Sequence, residues 1–349
     1  MLVVTDFAST LVRLEPIGRV FREAGHELHL VGGMVRDVLL GLVREGDQPT
    51  GDLDLTTDAR PDQSRALLAP LASVIWDQGA RFGTIGAKVG EAMVEVTTYR
   101  SESYAADSRK PEVRFGDDLE VDLSRRDFTI NAIAVSVTTG RLEDPFGGEE
   151  DLRARRLRTP LGPDVSFVDD PLRMLRAARF IARFDLDADP ALEAAASEHA
   201  HRLGIVSSER VREELERLLS VSDPRPGTEF LARHGLAELV VSGVEPSAWQ
   251  FATTRFRETT ALELRRALLF SSFQPKQARA RLEAMRYSRH DSNVTLDLLR
   301  LAASVRRLQS HEAQPSDASL RRLVASAGAG AEPQIIDQAV VLAAILDDL

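Results

Sequence analysis

The apolar residues change period near residue 148, and that change constrains the fold more than any other feature of the chain. Before it, short segments alternate with the period of two that a half-buried strand requires. Glu27–Val31, Ser73–Trp76, Thr84–Val89, Met93–Arg100 and Ile133–Val137 read as strands. Two helical patterns accompany them. Residues 8–25 carry Leu11, Val12, Leu14, Ile17, Val20 and Phe21 on one face and end near Gly25, and Pro61–Ala69 forms a shorter one. From residue 149 on, helical signals dominate. Asp169-Asp170-Pro171 predicts a helix start with a capping aspartate and proline in the first turn, and Ser207-Ser208 predicts another with serine caps. Strands first and helices afterwards define an α+β class.

The stretch Gly51-Asp52-Leu53-Asp54-Leu55 stands out among the strands. On a strand, Asp52 and Asp54 share one face, and their carboxylates repel unless a cation lies between them. Hard oxygen donors of this kind suit Mg²⁺. A capped turn and a solvated aspartate would give the same letters. The strand Glu27–Val31 runs into Gly32-Gly33-Met34-Val35-Arg36-Asp37, a strand–glycine–helix sequence in which backbone N–H groups can approach phosphate. Glu95 shares a face with Thr97 and is a candidate third acid; a solvent-facing glutamate on an edge strand is the alternative.

Composition excludes several chemistries. The 349 residues contain no cysteine, so disulfides, thiolate catalysis and Cys-ligated zinc are ruled out. No apolar run approaches the roughly 20 residues of a membrane span. The N-terminus lacks a basic region and a cleavage site, which predicts no secretion signal and a cytoplasmic protein. A net charge of −10 argues against blanket attraction to nucleic acid, but only three of the 44 basic residues are lysine. Arginine is the better bidentate phosphate clamp, although coding bias gives the same count.

Ser101–Leu119 is polar and without periodicity, and a loop of that length is usually functional or disordered. Arg125-Arg126-Asp127-Phe128-Thr129-Ile130-Asn131-Ala132 follows it. Further on, Arg173, Arg176 and Arg179 recur every three residues and form one helical stripe; a solvated arginine face is the plain reading.

Taken in order, Val31–Asp37, Asp52-Leu53-Asp54, Arg125–Ala132, Asp170-Pro171-Leu172-Arg173 and Ser208–Leu215 resemble the motifs of the class II tRNA nucleotidyltransferases, the CCA-adding enzymes and their poly(A) polymerase relatives. The match runs over roughly residues 28–220. It implies a polymerase β-like, mixed-sheet nucleotidyltransferase head (1–148), a helical neck (149–222) and a helical body and tail (223–349). It also implies addition of C and A from CTP and ATP to the 3′ end of tRNA, with Mg²⁺ held by Asp52 and Asp54 and pyrophosphate leaving. Gly32, Gly33 and Arg36 would hold the triphosphate, with Arg176 and Arg179 as further clamps. Asp127 would contact the ribose, supported by Arg126 and Asn131. Asp170 and Arg173 resemble the pair that selects the base: the carboxylate accepts from the amino group of cytosine or adenine while the guanidinium donates to a ring acceptor or carbonyl. A helix cap competes for Asp170. A full-length Ser101–Leu119 segment disfavours a CC-only enzyme. An A-adding or poly(A)-polymerising relative, and a repurposed RNA-binding paralogue without catalysis, remain rivals. No protein partner is expected.

Many bacterial relatives carry an HD phosphohydrolase domain after the neck. Here Leu268-Leu269-Phe270-Ser271-Ser272-Phe273 stands where metal-binding His-Asp would fall, and His290-Asp291 lies at an expected helix start. No phosphatase is therefore expected. Arg265, Arg266, Arg279, Arg281, Arg286, Arg289, Arg306, Arg307, Arg321 and Arg322 are candidates for a basic track along tRNA, or are plain helix surface.

Overall fold

The computed structural model describes residues 7–43, 52–103, 112–311 and 333–347. The chain forms two compact units, residues 1–170 with 187–195, and residues 171–186 with 196–349.

The first unit runs α1 (Ala8–Glu23), β1 (Leu28–Val31), α2 (Gly33–Leu39), β2 (Leu53–Thr57), α3 (Pro61–Leu68), β3 (Ala72–Trp76), β4 (Thr84–Val89), β5 (Ala92–Thr98), β6 (Arg100–Ser103), β7 (Glu112–Phe115), α4 (Leu119–Ser124), β8 (Ala134–Ser136) and β9 (Leu142–Glu143). Then come α5 (Gly148–Arg153), β10 (Arg156–Leu157) and α6 (Pro163–Asp169). Seven strands form a mixed sheet in the order β3-β4-β5-β2-β1-β8-β9. Its neighbours are antiparallel except β2 and β5, which run parallel.

Burial fixes the register of that parallel pair. Leu53 and Leu55 on β2 are 1% exposed and Val94 and Val96 on β5 are 0% exposed. Each such side chain is worth about 1.5–3 kcal/mol in the core. Sliding either strand by one residue would bury its acids in their place. The register sets Asp54 opposite Glu95 and Thr56 opposite Thr97.

The second unit contains α7 (Arg173–Phe184), and the chain returns to the first unit for β11 (Asp187–Ala188). The helix α8 (Pro190–His199) follows, then α9 (Ser208–Leu219), α10 (Arg225–Arg233), α11 (Leu236–Val240), α12 (Pro246–Thr254), α13 (Leu262–Phe270), α14 (Pro275–Ala284), α15 (Arg289–His311) and α16 (Pro333–Asp347). Here α7 and α10 approach so closely that a Cβ on Gly227 would lie 2.2 Å from the Ala178 carbonyl oxygen, so only glycine fits. No helix among the described residues is long and apolar enough to cross a membrane.

Several expectations need correction. Helix α1 buries Leu14, Ile17 and Phe21 as expected, but Val12 is 73% exposed, because the buried stripe is narrower than the apolar one. The Ser101–Leu119 segment is not simply a loop: β6 and β7 pair within it, and Asp118 caps α4 through the N–H groups of Glu120 and Val121. Its residues 104–111 lie outside the described residues. Asp170 closes α6 in extended conformation, and α7 begins at Arg173, later than Asp170-Pro171 predicts, after a tight turn in which the Leu175 and Arg176 N–H groups donate to the Leu172 carbonyl. Ser207 does precede α9, yet its side chain makes no cap hydrogen bond. The arginine stripe of α7 is not a solvated face, since Arg173 and Arg179 are 9% and 8% exposed. Arg265 and Arg266 cannot belong to a surface track: they are 1% and 3% exposed, and both are committed to internal acceptors. Arg321 and Arg322 lie outside the described residues.

Candidate active site

The acidic face of the head sheet is built by strand alternation. Asp54 projects from β2 on the side opposite Leu53 and Leu55, and Glu95 does the same on β5. Strand β5 is flanked by β4 and β2, so Glu95 is not the edge-strand glutamate that was its alternative reading. Desolvation by the packed sheet beneath it raises the Asp54 carboxyl, Arg126 pulls it down and Asp52 pushes it up again; the net shift is upward. Desolvation also raises the carboxyl of Glu95, with Asp54 and then Asp52 adding to the shift. Three carboxylates thus feel one another across two neighbouring strands.

The glycine turn lies against Asp54. Gly32 adopts φ 77° and ψ −140°, a conformation that side chains rarely take. A Cβ there would sit 3.2 Å from Asp54 Oδ2 and 3.7 Å from Arg126 Nη1. The same glycine opens α2, whose first turn closes with the Arg36 N–H donating to the Gly32 carbonyl. Gly33 lies close to the Arg36 guanidinium.

A second chain of contacts runs beside it. Arg36 is 5% exposed and donates through Nη1 to Asn131 Oδ1 at 2.7 Å and through Nε and Nη2 to Asp37. Asn131 in turn donates to Asp127 Oδ1 at 2.9 Å, and the same oxygen accepts the Phe128 N–H at 2.8 Å. Asp127 and Asn131 are 8% and 7% exposed, so this chain is rigid and nearly dry. Beneath it Val31, Leu123, Ala132 and Ala134 form a buried cluster.

Asp122 is the residue that sequence reasoning missed. Its carboxylate is fully buried and accepts from Arg125 at 2.8 Å and from Arg126 at 3.3 Å. The signal was available: an acid followed three and four positions later by arginines is ion-pair spacing on a helix.

In the helical unit, Arg176 and Arg179 converge on Glu214, at 3.8 and 2.8 Å, and Arg217 joins them at 3.0 Å. Arg173 is the first residue of α7, and Asp170 ends α6. His290 and Asp291 fall in the first turn of α15 as expected. Asp291 there accepts from the Ser288 hydroxyl at 2.5 Å and donates its own N–H back to that oxygen, a reciprocal cap.

Asp52, Asp54 and Glu95 carry hard carboxylate oxygens of the kind a divalent cation takes. The upward shifts of Asp54 and Glu95 come first from desolvation and then from neighbouring carboxylates, and a bound cation would oppose both causes.

A mixed sheet carrying such a face beside a glycine turn, followed by a helical remainder, is a nucleotidyltransferase fold. Comparison with known proteins agrees. Residues 28–158 match the family model "Poly A polymerase head domain", and residues 185–247 match "Probable RNA and SrmB- binding site of polymerase A". The CCA-adding enzyme of Geobacillus thermodenitrificans is 36% identical over 269 residues, covering 76% of this chain and 64% of that one. That of Bacillus velezensis is 35% identical over 277 residues, covering 78% of this chain and 67% of that one. The crystal structure of the Bacillus stearothermophilus CCA-adding enzyme in complex with CTP superposes with a TM-score of 0.79 at 29% identity, covering 99% of this chain and 79% of that one. The chain belongs to the family of CCA-adding enzymes and poly(A) polymerases. It spans just under two thirds of the length of the Geobacillus relative.

Proposed function

We propose that this chain is a nucleotidyltransferase that adds C and A from CTP and ATP to the 3′ end of tRNA in the cytoplasm. The observation that carries the reading is Asp54 against the Gly32 turn, in register with Glu95 and two residues after Asp52, with Arg126 between Asp54 and Asp122. In the reaction the terminal 3′-hydroxyl oxygen attacks the α-phosphorus, the bond to the β-phosphate oxygen breaks, and pyrophosphate leaves. Asp52 and Asp54, with Glu95 behind them, would hold Mg²⁺, which supplies charge neutralisation for the attacking and leaving oxygens. The glycine turn presents backbone donors to the triphosphate. Arg36 acts through Asn131 to hold Asp127, which is proposed to accept from the ribose hydroxyl. Asp170 and Arg173 are proposed to read the base, and Arg176 and Arg179 to add positive charge for the phosphates. The division into head (1–148), neck (149–222) and body with tail (223–349) belongs to the same proposal.

The relatives bear the name CCA-adding enzyme. The head's "Poly A polymerase" description keeps an A-adding enzyme as the second reading. One assay separates them. tRNA ending before CCA, and tRNA ending in CC, are each incubated with Mg²⁺ and one labelled nucleotide at a time. Incorporation of C into the first and A into the second supports CCA addition. A confined to the CC-ended substrate makes it A-adding. No incorporation at all overturns the reading in favour of an RNA-binding paralogue.

A further inference from the structure

A fully buried carboxylate persists only where donors surround it, and Asp122 on α4 has an excess of them. Its Oδ1 accepts from Arg125 Nε at 3.0 Å and Nη2 at 2.8 Å and from the backbone N–H of Arg100 at 3.3 Å. Its Oδ2 accepts from the Thr56 hydroxyl at 3.1 Å and from Arg126 Nη2 at 3.3 Å. Arg125, with two donors on Oδ1, would alone balance the charge. Arg126 is surplus to that balance, and its placement shows its use. The guanidinium reaches from Asp122 at one end to the Gly32 turn and Asp54 at the other. Its Nε is buried and meets no acceptor among the described residues. The Asp122 hydrogen bond is therefore what sets its direction.

We infer that Asp122 is a positioning residue for nucleoside triphosphate binding: it aims Arg126 across the Gly32 turn, so that Nη1 meets a phosphate oxygen lodged there. The inference rests on the nucleotide-transfer reading above. The same carboxylate ties three elements together. Thr56 lies two residues beyond Asp54 on β2, Arg100 opens the β6–β7 hairpin, and Arg126 follows α4. The aim of the guanidinium is thereby fixed to the strand that carries Asp54.

The test is a double-mutant cycle on CTP affinity, measured calorimetrically with Mg²⁺ and without RNA, so that no turnover occurs. Asp122→Asn weakens CTP binding about tenfold, Arg126→Ala weakens it by at least as much, and the double variant is no weaker than Arg126→Ala alone. In steady-state incorporation, the KM for CTP rises more than kcat falls. Additive losses overturn the inference, as does a folded Asp122→Asn protein that binds CTP like the wild type. If Asp122→Asn does not fold, Thr56→Val takes its place: a loss of about threefold is expected, absent in the Arg126→Ala background. Wild-type protein that binds neither CTP nor ATP would overturn the nucleotide-transfer reading itself. Wild-type binding with no coupling overturns only the role of Asp122.

Discussion

Glu214 in the helical unit and Asp54 in the sheet unit are acids in opposite circumstances. Glu214 is 3% exposed and is met by Arg179, Arg217 and Arg176. Glu216 receives Arg266 through two hydrogen bonds and the Tyr287 hydroxyl at 2.6 Å. Arg265 is buried among carbonyl oxygens and donates to those of Leu219, Val221, Ser222, Phe256 and Thr259. Asp54, by contrast, stands in register with Glu95 and beside Asp52, with a guanidinium it shares with Asp122. Paired charges in the helical unit hold the scaffold. Charges left among their own kind on the sheet weaken it, and a fold retains such a set where something outside the chain completes it.

The comparison is broken most severely by removing one acid from the sheet. Asp54→Asn lowers nucleotide incorporation by about 10³-fold or more, some 4 kcal/mol of transition-state stabilisation, in the single-nucleotide assay. A loss of only a few fold would mean that the acidic face is not where the chemistry occurs. Next in size, Arg265→Ala strands at least the carbonyls that close α9 and costs about 3 kcal/mol of stability by urea unfolding. Its effect on incorporation by the folded fraction is small. Glu95→Gln is milder, with incorporation falling about tenfold and the Mg²⁺ requirement rising, because two carboxylates remain.

The smallest effect has the most telling sign. The Asp54 carboxyl is raised in the folded protein, so without a divalent ion the native state binds more protons than the unfolded state across that window. Its contribution to stability is full below the ordinary value of 3.8 and is lost as pH rises through the raised value. Without Mg²⁺, Asp54→Asn therefore melts a few degrees above the wild type at neutral pH, and the gap closes on acidification. Asp122 behaves in the opposite sense. Burial raises its carboxyl, but Arg125 and Arg126 more than offset that and hold it low, so its stabilisation is present at neutral pH and lost only in acid.

The acidic pair, the glycine turn and the switch from strands to helices were legible in the sequence, because each depends on local period and on residues a few positions apart. What joined them was not. Glu95 and Asp54 are 41 positions apart, and only the parallel placement of β5 beside β2 makes them neighbours. Arg265 and Arg266 read like any surface pair, because burial of an arginine depends on carbonyls from α9 and from the turn before α13 that sequence does not place. The start of α7 differs for a local reason: an aspartate before proline suits a helix start, but here Asp170 also ends the preceding helix and regular helix begins only at Arg173.

The most direct test of the central claim, that the head's carboxylates are held apart for a cation, is thermal unfolding of wild type and Asp54→Asn with and without Mg²⁺, in the absence of nucleotide. A ligand that binds only the folded state raises its melting temperature. The account predicts that Mg²⁺ stabilises the wild type and leaves Asp54→Asn, already the more stable apo protein, unchanged. Equal stabilisation of the two, or a wild type indifferent to Mg²⁺, would contradict it.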